Sequence, residues 1–243
     1  MRIMTFSQRC AKEILRDPIN LCFGLGFPVV LLLLMSAIQA NIPAELFVIE
    51  RLAPGIAVFG LSFITLFSAT LVSRDRESSF LERLYTTPLR SLDFILGYML
   101  PLIPISLAQC VVCYALAAIL GLSIGFNVVL AILAIIPISV FYISLGLLFG
   151  SILNVKQTGG VCGGLLTNLS GWLAGIWFDI SLVGGVFERV AGLLPFLHAV
   201  ELERALINGS IADAGVHFLV VMLYALAATF GAVILFLRQM KKQ

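Results

Sequence analysis

Two histidines, five cysteines and thirteen carboxylates are the groups in this 243-residue chain whose chemistry could be put to use, and their spacing limits what they can do. Cys110 and Cys113 share a helix face at i, i+3, but a tetrahedral metal site needs four ligands and no His or carboxylate converges on the pair. The cysteines (Cys10, Cys22, Cys110, Cys113, Cys162) sit in or beside apolar runs with no extracellular pairing pattern, so a disulfide framework is not expected. A nucleophilic serine needs a neighbouring base, and His198 and His217 both fall toward one end of their segments, away from most of the serines. The Gly-rich run from Thr158 to Leu165 lacks the Lys and Ser/Thr of a phosphate loop, and G-x-x-x-x-G-K-[ST] does not occur. The residue types therefore exclude ATP hydrolysis by this polypeptide, and no catalytic residue or metal ligand is assigned.

The elements that carry these residues are apolar. Sixty per cent of the chain is hydrophobic and only 12% is charged, about half the charge of a soluble domain. Charged residues are missing from Ile19 to Ala44, Leu52 to Ser73, Phe94 to Val155, Gln157 to Phe178 and Ala214 to Leu237. A hydrocarbon core needs about 20 helical residues per crossing, so each gap reaches spanning length and the third is long enough for two, broken at Gly121 to Asn127. The expected fold is an all-α integral membrane protein with six transmembrane helices: Ile19 to Gln39, Ala53 to Val72, Phe94 to Leu120, Val128 to Leu153, Thr158 to Phe178 and Ala214 to Leu237. Residues 1–18 form an N-terminal amphipathic helix, and 19–243 form one membrane domain. The first apolar run continues to spanning length without a small-residue cleavage pattern, so a cleaved signal peptide is not expected.

Twelve Lys and Arg fall before span 1, between spans 2 and 3, between spans 4 and 5, and after span 6, against three (Arg51, Arg189, Arg204) on the other side. The positive-inside rule then puts both termini and the Arg74 to Arg90 loop in the cytoplasm. A net charge of +2, dispersed along the chain, is too small for a nucleic-acid footprint. The spans hold no carboxylate or amine to bind a coupling proton or sodium ion, and His217 is their only imidazole; backbone carbonyls could still coordinate an ion, and the expectation is that energy for uphill transport enters from outside this chain.

Two inner segments are amphipathic. Phe6, Cys10 and Ile14 repeat at i, i+4, i+8, with Gln8, Arg9, Lys12, Glu13 and Arg16 opposite, and Asp17-Pro18 stops the helix. Such a helix suits a membrane-surface anchor, a contact for a cytoplasmic partner, or both. Between spans 2 and 3, Phe80, Leu81, Leu84 and Tyr85 make one apolar face rimmed by Arg76, Glu77, Glu82 and Arg83, and Pro88 ends the element. Spacing alone leaves open whether that face meets lipid or protein.

Arg76-Glu77, followed by the run from Phe80 through Leu81, Glu82, Leu84 and Tyr85 to Thr87-Pro88, resembles the signature of the ABC type 2 permeases: Arg-Glu, Gly-Thr-Leu-Glu, an apolar residue and Thr-Pro. Leu15 to Pro18 before span 1 and Leu194 to His198 before span 6 are similar to that family as well. Ser78-Ser79-Phe80 replaces the usual Gly-Thr, which keeps a helix start and alters the contacts there. The resemblance implies the membrane subunit of an ATP-binding-cassette exporter, in which two six-span subunits pair as a homodimer or heterodimer and two ATP-binding subunits dock from the cytoplasm. ATP and magnesium would be bound by those partners, leaving no cofactor in this chain. Residues 1–18 would be the connecting helix and 77–87 the coupling helix, with Glu77, Phe80, Leu81, Glu82, Leu84 and Tyr85 engaging the ATPase and Glu82 at the position of the motif glutamate. The prokaryotic cytoplasmic membrane is the implied location.

In span 2, Phe59, Phe63 and Phe67 recur every four residues beside Ser62, Thr65 and Ser68; such a stripe meets lipid or a helix, or lines a pathway. Span 5 pairs Gly159/Gly163, Gly160/Gly164 and Gly171/Gly175 in Gly-x-x-x-Gly spacing, with Thr167 and Asn168 between. This pattern allows close packing within one subunit, and the resemblance implies that Gly160, Gly164 and Gly171 meet a second subunit and that Phe59, Phe63, Phe67, Thr167 and Asn168 line the substrate pathway. An uncharged lining suits hydrophobic or amphipathic cargo such as a drug, antibiotic, lipid or lipopeptide. The outer loop, 179–213, carries short helices, one with Ala199, Leu202, Ala205 and Leu206 on an apolar face between Glu201, Glu203 and Arg204. The alternative reading is an ATP-independent channel or receptor-like protein.

Overall fold

In the computed structural model, residues 2–42, 47–78, 80 and 91–240 are described. Of the predicted coupling segment, Leu81, Glu82, Leu84 and Tyr85 lie outside the described residues. The described residues are mostly helical, with no strand among them.

Helix α1 (Arg2–Leu15) is followed by α2, a continuous run of Pro18–Leu21, a π-helical stretch Cys22–Gly26, and Phe27–Asn41. Then come α3 (Ile49–Glu77), α4 (Ser91–Ile119) and α5 (Phe126–Ile152). Helix α6 is composite: Val155–Thr158, a π-helical Gly159–Leu166, and Thr167–Leu173. Three short helices, α7 (Ile180–Val183), α8 (Gly185–Leu193) and α9 (Pro195–Ile207), lead to α10 (Ile211–Met240).

Five helices among the described residues are long and apolar enough to cross a membrane: Cys22–Asn41, Ile49–Glu77, Leu92–Ile119, Phe126–Ile152 and Ile211–Arg238. The predicted fifth span is not one of them. Its helical pieces of 4, 8 and 7 residues reach about 28 Å. It opens on Lys156 and Gln157 and stops at Leu173, before the turn at Gly175, which has φ of +64°. The predicted end at Phe178 thus overshoots the helix. The short helices predicted in 179–213 are present as α7, α8 and α9.

Helix α3 is the axis of the bundle, buried along most of its length, whereas α2 and α10 leave most of their surface open. Its tightest neighbour is α5. A Cβ on Gly146 would strike Ser68 Oγ and the Thr65 carbonyl, and one on Gly150 would strike the backbone of Ala69. Glycine at both positions lets the backbones approach closely enough for Thr65 Oγ1 to donate to the Tyr142 carbonyl (2.8 Å) and Ser68 Oγ to that of Ile143 (3.1 Å). This Gly146-x-x-x-Gly150 contact is the same sequence pattern as that of α6, on a different helix. Apolar packing does not distinguish α3 from lipid, so small residues and these interhelical hydrogen bonds fix the pair.

Candidate functional site

The Arg-rich end of α3 gathers the bundle. Four consecutive residues there each engage a different element. Arg74 Nη1 donates to Asp17 between α1 and α2 (3.4 Å). Asp75 takes both Arg9 guanidinium nitrogens from α1, at 2.5 Å each, and the Tyr98 hydroxyl of α4 at 2.7 Å. Arg76 donates to the carbonyls of Gly150 (3.0 Å) and Ile152 (3.5 Å) at the end of α5. Glu77 Oε1 accepts the amide of Val155, the first residue of α6, at 2.9 Å.

The Arg76 and Glu77 contacts follow from local helix chemistry. The last carbonyls of a helix lack intrahelical donors and carry partial negative charge, which suits Arg76; the first amides lack acceptors and carry partial positive charge, which suits Glu77. Asn154 and Gln157 add a reciprocal capping box at the same α6 start. Two adjacent side chains of α3 therefore clamp the whole α5–α6 turn.

The remaining arm is α1. Its predicted apolar face is observed, with Phe6, Cys10 and Ile14 buried and the Phe6 ring meeting Tyr98 (4.9 Å) and Phe94 (6.0 Å) edge-on. Asp75 is nearly sealed, with a side chain 2% exposed, against 36% for Arg9. Burial pulls against the Arg9 charge, but Asp75 outweighs it and holds the guanidinium protonated well beyond its ordinary range. Burial, reinforced by the Asp75 charge, pushes the Cys10 thiol up to about 12, so it is inert as a nucleophile. Arg9 also pairs with Glu13 (2.9 Å), and its guanidinium carbon lies 4.1 Å from the centroid of the Phe80 ring. Glu77 and Phe80, two of the residues expected to face an ATPase, thus touch α6 and α1 directly.

Asp75, Arg9, Arg74 and Tyr98 were not singled out as site residues in the sequence. The alternation Arg74-Asp75-Arg76-Glu77 at the end of an apolar run was the available signal, but pattern alone cannot say which charge turns inward.

The predicted pathway residues are divided. Phe59 and Phe67 are buried and Phe63 half-buried; Phe59 and Phe63 meet Phe27 of α2 at 6.4 and 5.4 Å, and Phe59 meets Trp177 at 5.4 Å. Thr167 is buried and donates to the Cys162 carbonyl (2.9 Å), whereas Asn168 is exposed with its amide on the Gly164 carbonyl (2.8 Å). Gly160 and Gly164 are exposed, and a Cβ on either would meet nothing within 4 Å among the described residues. Gly171 is buried within this chain against Trp177 and Phe59. Gly160, Gly164, Asn168 and the half-exposed Trp172 therefore mark one open strip of α6, separate from the packed side of Thr167 and Gly171.

At the opposite end, α9 buries two charges that sequence reasoning placed beside its apolar face. Arg204 donates to the carbonyls of Arg51 and Gly175, both at 3.2 Å, and to Glu201 at 2.8 Å. Burial pulls its guanidinium below the ordinary range. His198 and His217 share a 2.8 Å contact between their Nδ1 atoms, and His198 Nε2 faces the Gly192 carbonyl at 2.9 Å, so both imidazoles join α9 to α10 and α8. No cluster of three or more His, Cys, Asp or Glu able to hold a metal occurs among the described residues.

Residues 1–208 match the profile of a protein family described as ABC-2 type transporter. A search of curated proteins finds no match.

Proposed function

The chain belongs to the ABC-2 type transporter family, and from that premise we propose that it is the permease subunit of an ATP-driven exporter in a prokaryotic cytoplasmic membrane. Two such subunits would pair, each seating one separate ATP-binding subunit that supplies ATP and magnesium, and this chain would hydrolyse nothing itself. The observation that carries this reading is the junction at Arg74 to Glu77. Any displacement of the segment that follows Glu77 pulls at once on α1, α4, α5 and α6. Closure of the two ATPases around nucleotide would move the seated segment as a rigid body, with Glu82 and Leu84 in the partner's groove, and the junction would tilt the helices together.

The open strip of Gly160, Gly164, Asn168 and Trp172 supports a second copy of the chain against α6, because small residues allow close approach and Asn168 gains a polar neighbour there. A pathway between the copies, bordered by α2, the half-buried Phe63 and the open strip of α6, would present aromatic and polar groups without charge, with Phe59, Phe67 and Thr167 packed behind it. Hydrophobic or amphipathic cargo fits it: a drug, antibiotic, lipid or lipopeptide.

The test is reconstitution in vesicles with and without the cognate ATP-binding subunit, together with a Glu82→Cys variant for cross-linking. ATP-dependent flux that requires both subunits, and a nucleotide-sensitive cross-link from position 82 to the ATPase, are expected. Concentrative flux from this polypeptide alone would overturn the reading.

A further inference from the structure

Glu203 of α9 is completely buried, although it belongs to a short helix outside the five long apolar ones. The Tyr114 hydroxyl of α4, itself buried, donates to Glu203 Oε2 at 2.6 Å. The other carboxyl oxygen, Oε1, is buried with no hydrogen-bond partner among the described residues. A buried carboxylate needs a cation or two to three donors to keep its charge. Arg204, next in sequence, is committed to Arg51, Gly175 and Glu201. On the surrounding elements, Arg51 of α3 pairs with Asp179 and His217 of α10 pairs with His198, while Glu188 and Arg189 of α8 and Asp213 of α10 are exposed. Among the described residues, the titratable groups facing Glu203 are Tyr114 and, one turn earlier on α4, Cys110. One neutral hydroxyl is a poor counterpart for a full negative charge in this setting.

We propose that Glu203 and Tyr114 form a proton-binding site that seats α9 against α4 only while the Glu203 carboxyl is protonated. The ligand is a proton exchanged with the outer medium, and the proposal is independent of which protein drives the inner end. Helix α9 packs on α3, α5, α6 and α10 and meets α4 at the Tyr114–Glu203 hydrogen bond, so its seat bears on how these helices meet at that end. The direction of the pH effect follows from linkage. Burial raises the carboxyl to about 8, with the Tyr114 hydrogen bond pulling the other way. A neutral form favoured by docking means that docking is complete below the ordinary carboxyl range and is lost as pH rises through about 8.

The experiment is an infrared titration of the whole protein in lipid nanodiscs from pH 6 to pH 10, paired with amide hydrogen exchange over 195–207. A protonated-carboxyl band should disappear with a midpoint near 8, and exchange over α9 should rise across the same interval beyond the intrinsic pH trend. In Glu203→Gln the band should be absent and α9 should stay protected throughout. In Tyr114→Phe the midpoint should move higher, because the lost hydrogen bond had favoured the charged form. Absence of a band removed by Glu203→Gln, an α9 exchange step that persists in that variant, or a midpoint that falls in Tyr114→Phe would each overturn the proposal.

Discussion

Replacing Asp75 with Ala removes a side chain that joins α1, α3 and α4. The Tyr98 hydroxyl, fully buried, would lose its acceptor, which costs about 1–3 kcal/mol. Arg9 would lose a two-pronged charged contact but, being about a third exposed and still paired with Glu13, it can turn to water. Its share is therefore nearer the about 1.5–3 kcal/mol of a hydrogen bond to a charged group than the larger cost of breaking a wholly buried pair. The sum centres on about 4 kcal/mol. Tyr98→Phe, which removes the neutral arm alone, should cost about 1 kcal/mol. Reversible unfolding in mixed micelles measures both, and a double-mutant cycle with Arg9→Ala should give a coupling of about 1–2 kcal/mol. ATP-driven flux in Asp75→Ala should fall more than ATPase binding, since the proposed seat for the partner would remain while its linkage to α1 and α4 is cut. A cost for Asp75→Ala below about 1 kcal/mol, or a cycle coupling under about 0.5 kcal/mol, would show that the contact is not what ties α1 to the bundle.

Glu77→Ala removes the acceptor of the first α6 amide and should cost about 0.5–2 kcal/mol; Glu77→Gln should recover part of it, and equal unfolding of all three proteins would refute the cap. Gly150→Leu forces a side chain into the Ala69 backbone and should cost at least about 1–3 kcal/mol, read as loss of monodisperse protein in detergent. Gly160→Leu, at an open position, should leave protomer stability unchanged while lowering the dimer fraction in light scattering; an unchanged dimer would remove α6 from the proposed interface. Glu82→Ala or Leu84→Asp should leave the helices folded and separate ATP hydrolysis from transport, and wild-type transport in both would defeat the coupling assignment.

The sequence by itself determined the helical class, the approximate extent of five apolar helices and the apolar stripe of α1, but not that this stripe packs on Phe94 and Tyr98 of the same chain. Those features are set by local quantities: charge gaps of membrane length, and an apolar repeat at 3.6 residues per turn. The position of α6 as a composite helix ending at Leu173 was less legible, because a Gly-rich run of ordinary hydropathy hides both the π-helical stretch and the turn at Gly175. Tertiary structure alone decided which charges became structural. Asp75 and Glu203 look like any surface carboxylates beside arginines in the sequence, yet one is enclosed between Arg9 and Tyr98 and the other against Tyr114. Their partners lie 66, 23 and 89 residues away along the chain, and periodicity carries no information over such separations. The same holds for the glycines: Gly146 and Gly160 stand in identical Gly-x-x-x-Gly spacing, but only the first has a helix against it. Spacing reports what a face could accept, and the neighbour that fills it is chosen by the packing of the whole bundle.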